Sequence, residues 1–281
     1  MMDWLNAILL GIVQGLTEFL PVSSSAHIRL TGLVLMDGRD PGATFTAITQ
    51  IGTELAVLIY FWPMIVRIVR KWFGQWRKDA PKGDPDVRMG WFVILATIPI
   101  AIAGYLFQDL IRGSLRSLWF TAFSLVFFGI LLWIADRVGR AHRTMENLRP
   151  VHAVWIGLAQ MLALIPGVSR SGATTTMARS LGYTRTASSE FAFLIAVPAV
   201  FGAGFYELAQ AIQDPGSEVF TMGQTAAATA VSFVIALLTI RQLMAWVRSH
   251  SFLPFVIWRI ALGVIILIAL SIGWVEPLAG V

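Results

Sequence analysis

Six stretches, 45–63, 91–107, 118–135 and roughly 188–206, 224–240 and 254–274, run for the length of a helical membrane span with almost no charge. Crossing a bilayer core as a helix takes about 20 apolar residues, and within that core the backbone has to satisfy its own hydrogen bonds. These runs confine the chain to an all-α, polytopic membrane architecture. The composition agrees, at 57% hydrophobic and 13% charged residues, where soluble domains carry about 25% charged. The net charge of +5 does not point to nucleic acid, because the basic residues sit in short loops between apolar runs, where the positive-inside rule accounts for them. The chain has no cysteine, which excludes disulfides, thiolate metal sites and cysteine nucleophiles. The opening MMDWLNAILLG lacks the basic region of a signal peptide and is expected to remain as structure.

Two further stretches break the apolar pattern. Residues 15–27 read GLTEFLPVSSSAH and residues 157–172 read GLAQMLALIPGVSRSG. Each starts as an apolar helix carrying Glu18 or Gln160, breaks at Pro21 or Pro166, and passes into small hydroxyl residues. The first run ends in His27 and the second holds Arg170. Ionisable side chains inside apolar segments are costly and functional by default. Proline-broken helices at membrane depth need protein or a water-filled cavity around the freed backbone groups. The two stretches therefore read as the two halves of one site. The helix over 3–20, with Gln14 and Glu18 inside it, is a poor ordinary span and reads as re-entrant.

Loop charge sets the expected orientation. Loops at 64–88 (Arg67, Arg70, Lys71, Arg77, Lys78, Lys82, Arg88), 137–150 (Arg137, Arg140, Arg143, Arg149) and 241–253 (Arg241, Arg248) hold most of the lysine and arginine. The loop at 207–223 carries Glu207, Asp214 and Glu218 and no basic residue. Positive-inside places the three basic loops in the cytoplasm and both termini outside. Six spans satisfy this only if each broken stretch enters and leaves on one side. The expected fold is six transmembrane helices plus two re-entrant helical stretches in an inverted repeat, residues 1–149 forming the first unit and 150–281 the second. Arg112 and Arg116 lie in the loop joining the second and third spans, and Asp136 with Arg137 ends the third at the membrane interface. Trp62, Trp91, Trp119 and Trp274 fit an interfacial aromatic belt.

The chemistry-bearing residues follow. Gln14 and Glu18 are spaced i, i+4 and share a helix face. A carboxylate there suits a hard divalent cation bridging to phosphate, or a general base; the plainer alternative is a carboxylate held by amides or serines. Ser23, Ser24 and Ser25 offer hydroxyls and amides that can converge on an anion, although Ser23 alone suits a helix cap. His27 can act as nucleophile, general acid or metal ligand, or be structural. Arg170 sits in PGVSRSG, where a planar fork matches phosphate oxygens, the alternative being an arginine snorkelling to the surface. Glu54 and Glu190 either support this site or cap polar neighbours.

The motifs QGLTEFLPVSSSAH (Gln14 to His27) and PGVSRSGATTT (Pro166 to Thr176) resemble the bacterial undecaprenyl-diphosphate phosphatase family of the bacitracin-resistance type, and the likeness extends through FTAITQIGTELAVLIYFW and EFAFLIAVPA. The resemblance implies an enzyme of the bacterial cytoplasmic (inner) membrane, acting on its outer side. Its reaction removes the terminal phosphate of undecaprenyl diphosphate and recycles the carrier lipid for peptidoglycan and other wall polymers, conferring bacitracin resistance. It further implies a divalent cation, Mg2+ or Ca2+, bound by Glu18, with catalytic roles for Glu18, Ser24, His27 and Arg170. Gln14, Ser23, Ser25, Ser169, Ser171 and Thr175 would contact the substrate. The first acidic position of the family's pair is glutamine here, so Glu18 carries the anionic role alone or borrows Glu54.

The partners expected are the polyprenyl diphosphate and membrane lipids, without nucleic acid, and a homodimer is compatible with this. For the nucleophile, direct attack by His27 or Ser24 and attack by a water that Glu18 activates, with His27 protonating the leaving lipid phosphate, stay open. The reading from another class is a polyprenyl-phosphate flippase or anion transporter, which broken helices meeting at the midplane also suit. A histidine beside a serine run favours the enzyme, because a carrier needs no group able to attack or to donate a proton. A site built only for outside hydrolysis should be sealed below by packed apolar residues such as Leu162 and Leu164.

Overall fold

The computed structural model describes residues 2–36, 38–77, 81, 83–108, 110, 114–214 and 219–279. Lys78, Lys82, Arg112 and Glu218, counted above among the loop charges, lie outside the described residues. Among the described residues the secondary structure is helical, without a β-strand. The first half runs α1 (Met2–Thr17), an irregular segment, α2 (Ser24–Leu35), α3 (Ala43–Tyr60), α4 (Trp62–Gly74), α5 (Pro85–Leu106) and α6 (Leu118–Val138). The second runs α7 (Pro150–Met161), a 3-10 turn at Leu162–Leu164, an irregular segment, α8 (Arg170–Ser180), α9 (Arg185–Gln213), α10 (Met222–Trp246) and α11 (Leu253–Ser271).

Among these, α3, α5, α6, α9, α10 and α11 are long and apolar enough to cross a membrane, matching the six runs read from sequence. The helices that open the two broken stretches are shorter. α1 has 16 residues and α7 has 12, so at 1.5 Å per residue they reach only ~24 Å and ~18 Å, less than the ~30 Å core. Bulky apolar side chains cover the outside of the bundle, among them Phe120, Phe123 and Phe127 on α6 and Ile257, Ile265 and Ile268 on α11, all exposed. A patch that broad suits hydrocarbon rather than water. The chain is a multi-pass membrane protein.

Residues 64–74, placed above in a basic loop, are helical and belong to α4. Proline at the start of α4 is compatible with a helix because the first N–H groups have no partner within it. Ile65 and Ile68 then turn inward at helical spacing while Arg67, Arg70 and Lys71 face out.

Two glycines let the broken stretches seat deeply. A Cβ on Gly15 would lie 2.7 Å from the Ser232 carbonyl oxygen of α10, and one on Gly157 would lie 2.5 Å from the Ala96 carbonyl oxygen of α5. No side chain fits at such distances, so α1 packs backbone to backbone on α10, as α7 does on α5. The remaining close packings are α3 on α10, α6 on α11 and α9 on α3. Beneath the first break, Phe19 joins Val57, Phe61, Leu132, Phe193, Leu243, Phe252 and Val256 in the largest apolar cluster.

Asp136 is buried rather than interfacial. Its carboxylate accepts hydrogen bonds from Arg179 Nε at 3.0 Å, from Arg185 Nε at 2.7 Å and Nη2 at 3.0 Å, and from the Phe252 amide at 3.2 Å. The charge therefore ties α6, α8, α9 and the start of α11 together. A carboxylate with this many donors is favourable inside, where an unpaired one is not. Arg137, the next residue, turns out over the Trp133 ring. A second knot joins Arg29, Arg116 and Asp40, with Arg29 Nη2 also donating to the Ala279 carbonyl at 3.0 Å.

Candidate active site

Both breaks are built by the same backbone device. Ser23 has φ 72° and Ser169 has φ 70°, the left-handed region that costs a non-glycine residue about 1–3 kcal/mol and tends to be kept at functional sites. In each, the serine Oγ lies 3.2 Å from the Oγ two residues on, Ser23 with Ser25 and Ser169 with Ser171. Ser169 also caps its helix, accepting from the Gly172 amide at 3.2 Å. Ser23 makes no side-chain cap, so the capping role allowed for it above is not realised. The turn reverses the chain within a few residues, and α2 and α8 begin directly after it with their N-terminal, electropositive ends at the break.

The breaks meet. Ser171 Oγ donates to the Leu20 carbonyl at 3.1 Å. Arg170 Nη2 donates to Glu18 Oε1 and, at 3.0 Å, to Glu54 Oε1. The other Glu18 oxygen, Oε2, accepts from Gln14 Nε2 and from Ser24 Oγ, each at 2.7 Å. Gln14, Glu18, Ser24 and Arg170, singled out in sequence, thus form one hydrogen-bonded cluster, and Glu54 on α3 completes it. Glu190 is half-buried and makes no bond to it. Thr175 is buried further along α8, also without a hydrogen bond to the cluster. Ser25 is exposed, while Ser23, Ser169 and Ser171 are buried around the breaks. Leu162 is 37% exposed and Leu164 half-buried in the 3-10 turn, so these two do not form the packed seal expected of them.

His27 stands one turn after Ser24 on α2, at i, i+3 and hence on the same face. It is not bonded to the acidic cluster. Its Nδ1 donates to the Ser23 carbonyl at 2.8 Å, and its Nε2 accepts from the Trp258 indole N–H at 2.8 Å.

Arg259 on α11 is the residue that sequence reading passed over. It is fully buried, and its guanidinium donates to the carbonyls of Pro21 (3.2 Å), Leu125 (3.1 Å), Gly167 (3.0 Å) and Val168 (2.9 Å). One carbonyl belongs to the first break and two to the second, so Arg259 clamps them against each other. A signal was present: an arginine inside the apolar run LPFVIWRIALGVIILIAL is costly at membrane depth and marks a function by default.

The cluster offers oxygen donors that a divalent cation could take. Glu18, Glu54 and the Gln14 amide supply oxygen ligands, the kind that hard cations take. Gln14 Oε1 and Glu54 Oε2 are buried without a hydrogen-bond partner among the described residues, which leaves lone pairs available. Among the described residues no group of three His, Cys, Asp or Glu side chains could hold a metal by itself, and Arg170 bridges both carboxylates. The donors suit a cation that retains water and shares itself with substrate phosphates, as Mg2+ does.

Residues 7–265 match the family described as bacitracin resistance protein BacA. The chain belongs to this family. It is 56% identical over 272 residues to an undecaprenyl-diphosphatase of Clavibacter michiganensis subsp. michiganensis, covering 97% of this chain and 98% of that protein. To the undecaprenyl-diphosphatase of Micrococcus luteus it is 53% identical over 273 residues, covering 97% and 99%. To that of Bifidobacterium animalis subsp. lactis it is 48% identical over 290 residues, covering 100% and 98%. The stretch matched spans both breaks and α11 up to and beyond Arg259.

Proposed function

We infer that the protein hydrolyses undecaprenyl diphosphate to undecaprenyl phosphate and inorganic phosphate, returning the carrier lipid to peptidoglycan synthesis and conferring bacitracin resistance. The family membership and the relatives' names support the reaction. The observation that carries its chemistry is the 2.7 Å bond from Ser24 Oγ to Glu18 Oε2 beside Arg170. A serine on a carboxylate next to a guanidinium fork is a nucleophile, its base and an anion holder in one place.

In the reading this supports, Arg170 turns its fork from Glu18 and Glu54 to the terminal phosphoryl oxygens, and the N-terminal amides of α2 and α8 take others. That releases Glu18 to accept the Ser24 proton. Ser24 Oγ forms a bond to the terminal phosphorus, and the bond from that phosphorus to the bridging oxygen breaks, so undecaprenyl phosphate leaves with the electron pair. A water then attacks the phosphoserine. Its proton passes to an oxygen of the departing phosphate, the Ser24 Oγ–P bond breaks, and Glu18 returns its proton to Ser24, leaving inorganic phosphate. Fixed charge aimed where negative charge accumulates is usually the largest catalytic contribution. A bound Mg2+ or Ca2+, held by Glu18 and Glu54 with the Gln14 amide oxygen, would neutralise diphosphate charge in a site that otherwise sets one guanidinium against two carboxylates.

The repeated serine geometry and the matched seating of α1 and α7 support an inverted repeat of 1–149 and 150–281, whose re-entrant halves meet at the site. Loop charge supports a cytoplasmic-membrane orientation with the site open outward. Purified protein should release phosphate from undecaprenyl diphosphate, and acid-quenched wild type should carry label from a terminally 32P-labelled substrate on Ser24. Full turnover by Ser24→Ala would exclude the serine as nucleophile. Cysteines replacing Ser23 and Ser25 should react with an impermeant thiol reagent outside intact cells, and labelling only from the cytoplasm reverses the orientation.

A further inference from the structure

Between the first two spans, α3 and α5, lies a helix that shares no residue with the site and is too short to cross. α4 has 13 residues, about 20 Å at 1.5 Å per residue, against a core of ~30 Å. It has three faces. Ile65, Ile68 and Trp72 turn to the protein, with Trp72 seated on Gly90 of α5. Trp62, Val69, Phe73 and Trp76, each at least 45% exposed, follow at i, i+7, i+11 and i+14 and form one apolar stripe. Arg67, Arg70 and Lys71 hold the third face. Where the stripe meets the basic face, an open groove of about 640 Å³ is lined by Trp62, Val66, Arg67, Arg70, Lys71 and Gly74. Two of its cations are matched: Arg67 Nε donates to both Asp86 oxygens at 2.9 Å, and Lys71 Nζ to Asp84 at 3.3 Å. Arg70 has no hydrogen bond or ion pair. Asp84 and Asp86 stand at the very start of α5, and Trp91 Nε1 donates to Gln75 at 3.2 Å one turn on. α4 is therefore held at the end of a span, where hydrocarbon gives way to headgroups.

We propose that α4 is an interfacial helix that binds an anionic phospholipid, with the headgroup phosphate in the groove on Arg70 and the acyl chains against the stripe of Trp62, Val69 and Phe73. A helix with a basic face and an aromatic-rich apolar face lies in the membrane interface and gains from anionic lipid. Positive-inside sorting accounts for basic residues on this side of the membrane, but not for their collection on one helix face beside tryptophans. The charge selects the lipid. A zwitterionic headgroup brings a cation of its own to a face that already carries three, whereas an anionic one brings none. Free phosphate would fill the groove and leave the stripe uncovered. A second copy packed there would cover the stripe but bring two basic faces together. Binding at α4 is separate from the reaction inferred above and does not depend on it.

The experiment titrates lipid into the full-length protein in detergent micelles and follows retention by native mass spectrometry. Phosphatidylglycerol should be held more tightly than phosphatidylcholine, and added salt should erode the difference. A basic side chain near an anionic surface contributes about fivefold in affinity. Replacing both Arg70 and the exposed Arg77 by glutamine should therefore weaken phosphatidylglycerol by roughly tenfold to thirtyfold. Phosphatidylcholine retention should stay the same and so should Tm, which shows that the fold is intact. Phe73→Gln together with Trp76→Gln should weaken both lipids. Equal retention of the two lipids by wild type overturns the proposal, as does an unchanged preference in the arginine variant. Displacement of phosphatidylglycerol by inorganic phosphate would make the groove a site for free anions and also overturns it. So does a dimer that the Phe73→Gln, Trp76→Gln variant dissolves without change in lipid retention, since that gives the stripe to a second copy.

Discussion

Replacing Arg259 by methionine tests whether the clamp between the breaks makes the site. The guanidinium donates to four carbonyls from three segments, and a hydrogen bond from a charged donor contributes about 1.5–3 kcal/mol, giving a gross loss of roughly 6–12 kcal/mol. Burying the charge costs several kcal/mol, which methionine recovers, so the net destabilisation comes to about 3–5 kcal/mol. At roughly 2–4 °C per kcal/mol this lowers Tm on the order of 10 °C, measurable by intrinsic fluorescence in detergent. Turnover should fall further than stability does. Two of the four carbonyls belong to the segment presenting Arg170 and one to that presenting Glu18, and a shift of about 1 Å between reacting groups costs on the order of a hundredfold. Phosphate release assayed well below the variant's Tm isolates that effect. Arg259→Lys should rescue little, since one ammonium cannot reach carbonyls on three segments. A methionine variant with wild-type Tm and wild-type turnover refutes the clamp.

Glu18→Gln keeps the shape but not the proton acceptor for Ser24, so kcat for phosphate release should drop by about 10²–10⁴; a change below threefold would remove Glu18 from that role. Arg170→Lys keeps one charge and loses the fork, and purified variant of near wild-type turnover would count against phosphate binding there. Chelation should abolish phosphate release, with recovery on adding Mg2+ or Ca2+; full activity in excess chelator would show that no divalent cation is needed. Asp136→Asn strips the charge that pairs Arg179 and Arg185, and should destabilise by about 3–5 kcal/mol with kcat of the surviving fraction unchanged, as read by melting and active-site-normalised turnover.

The sequence by itself determined the class of fold and pointed to four of the polar residues that the structure gathers into one cluster. The six apolar runs became six helices because, in hydrocarbon, length and absence of charge leave the backbone little other choice. Gln14, Glu18, Ser24 and Arg170 were legible because polar groups in apolar helices are too costly to be incidental. Those are local properties, carried by a few residues at a time. What only the tertiary structure decided depends on which helices are neighbours. Glu54 entered the cluster and Glu190 stayed out because α3 presents its carboxylate to Arg170. Asp136, at the end of a span, became a buried knot because Arg179 and Arg185 arrive from helices more than 40 residues away along the chain. Arg259 could be flagged as costly in sequence, but its partners are backbone carbonyls, and a carbonyl has no identity in a sequence. The His27 tautomer likewise follows from a neighbour 231 residues distant. Pairings at such separations are set by how whole helices pack, through the seating of Gly15 and Gly157 against facing backbones, and no local pattern encodes them.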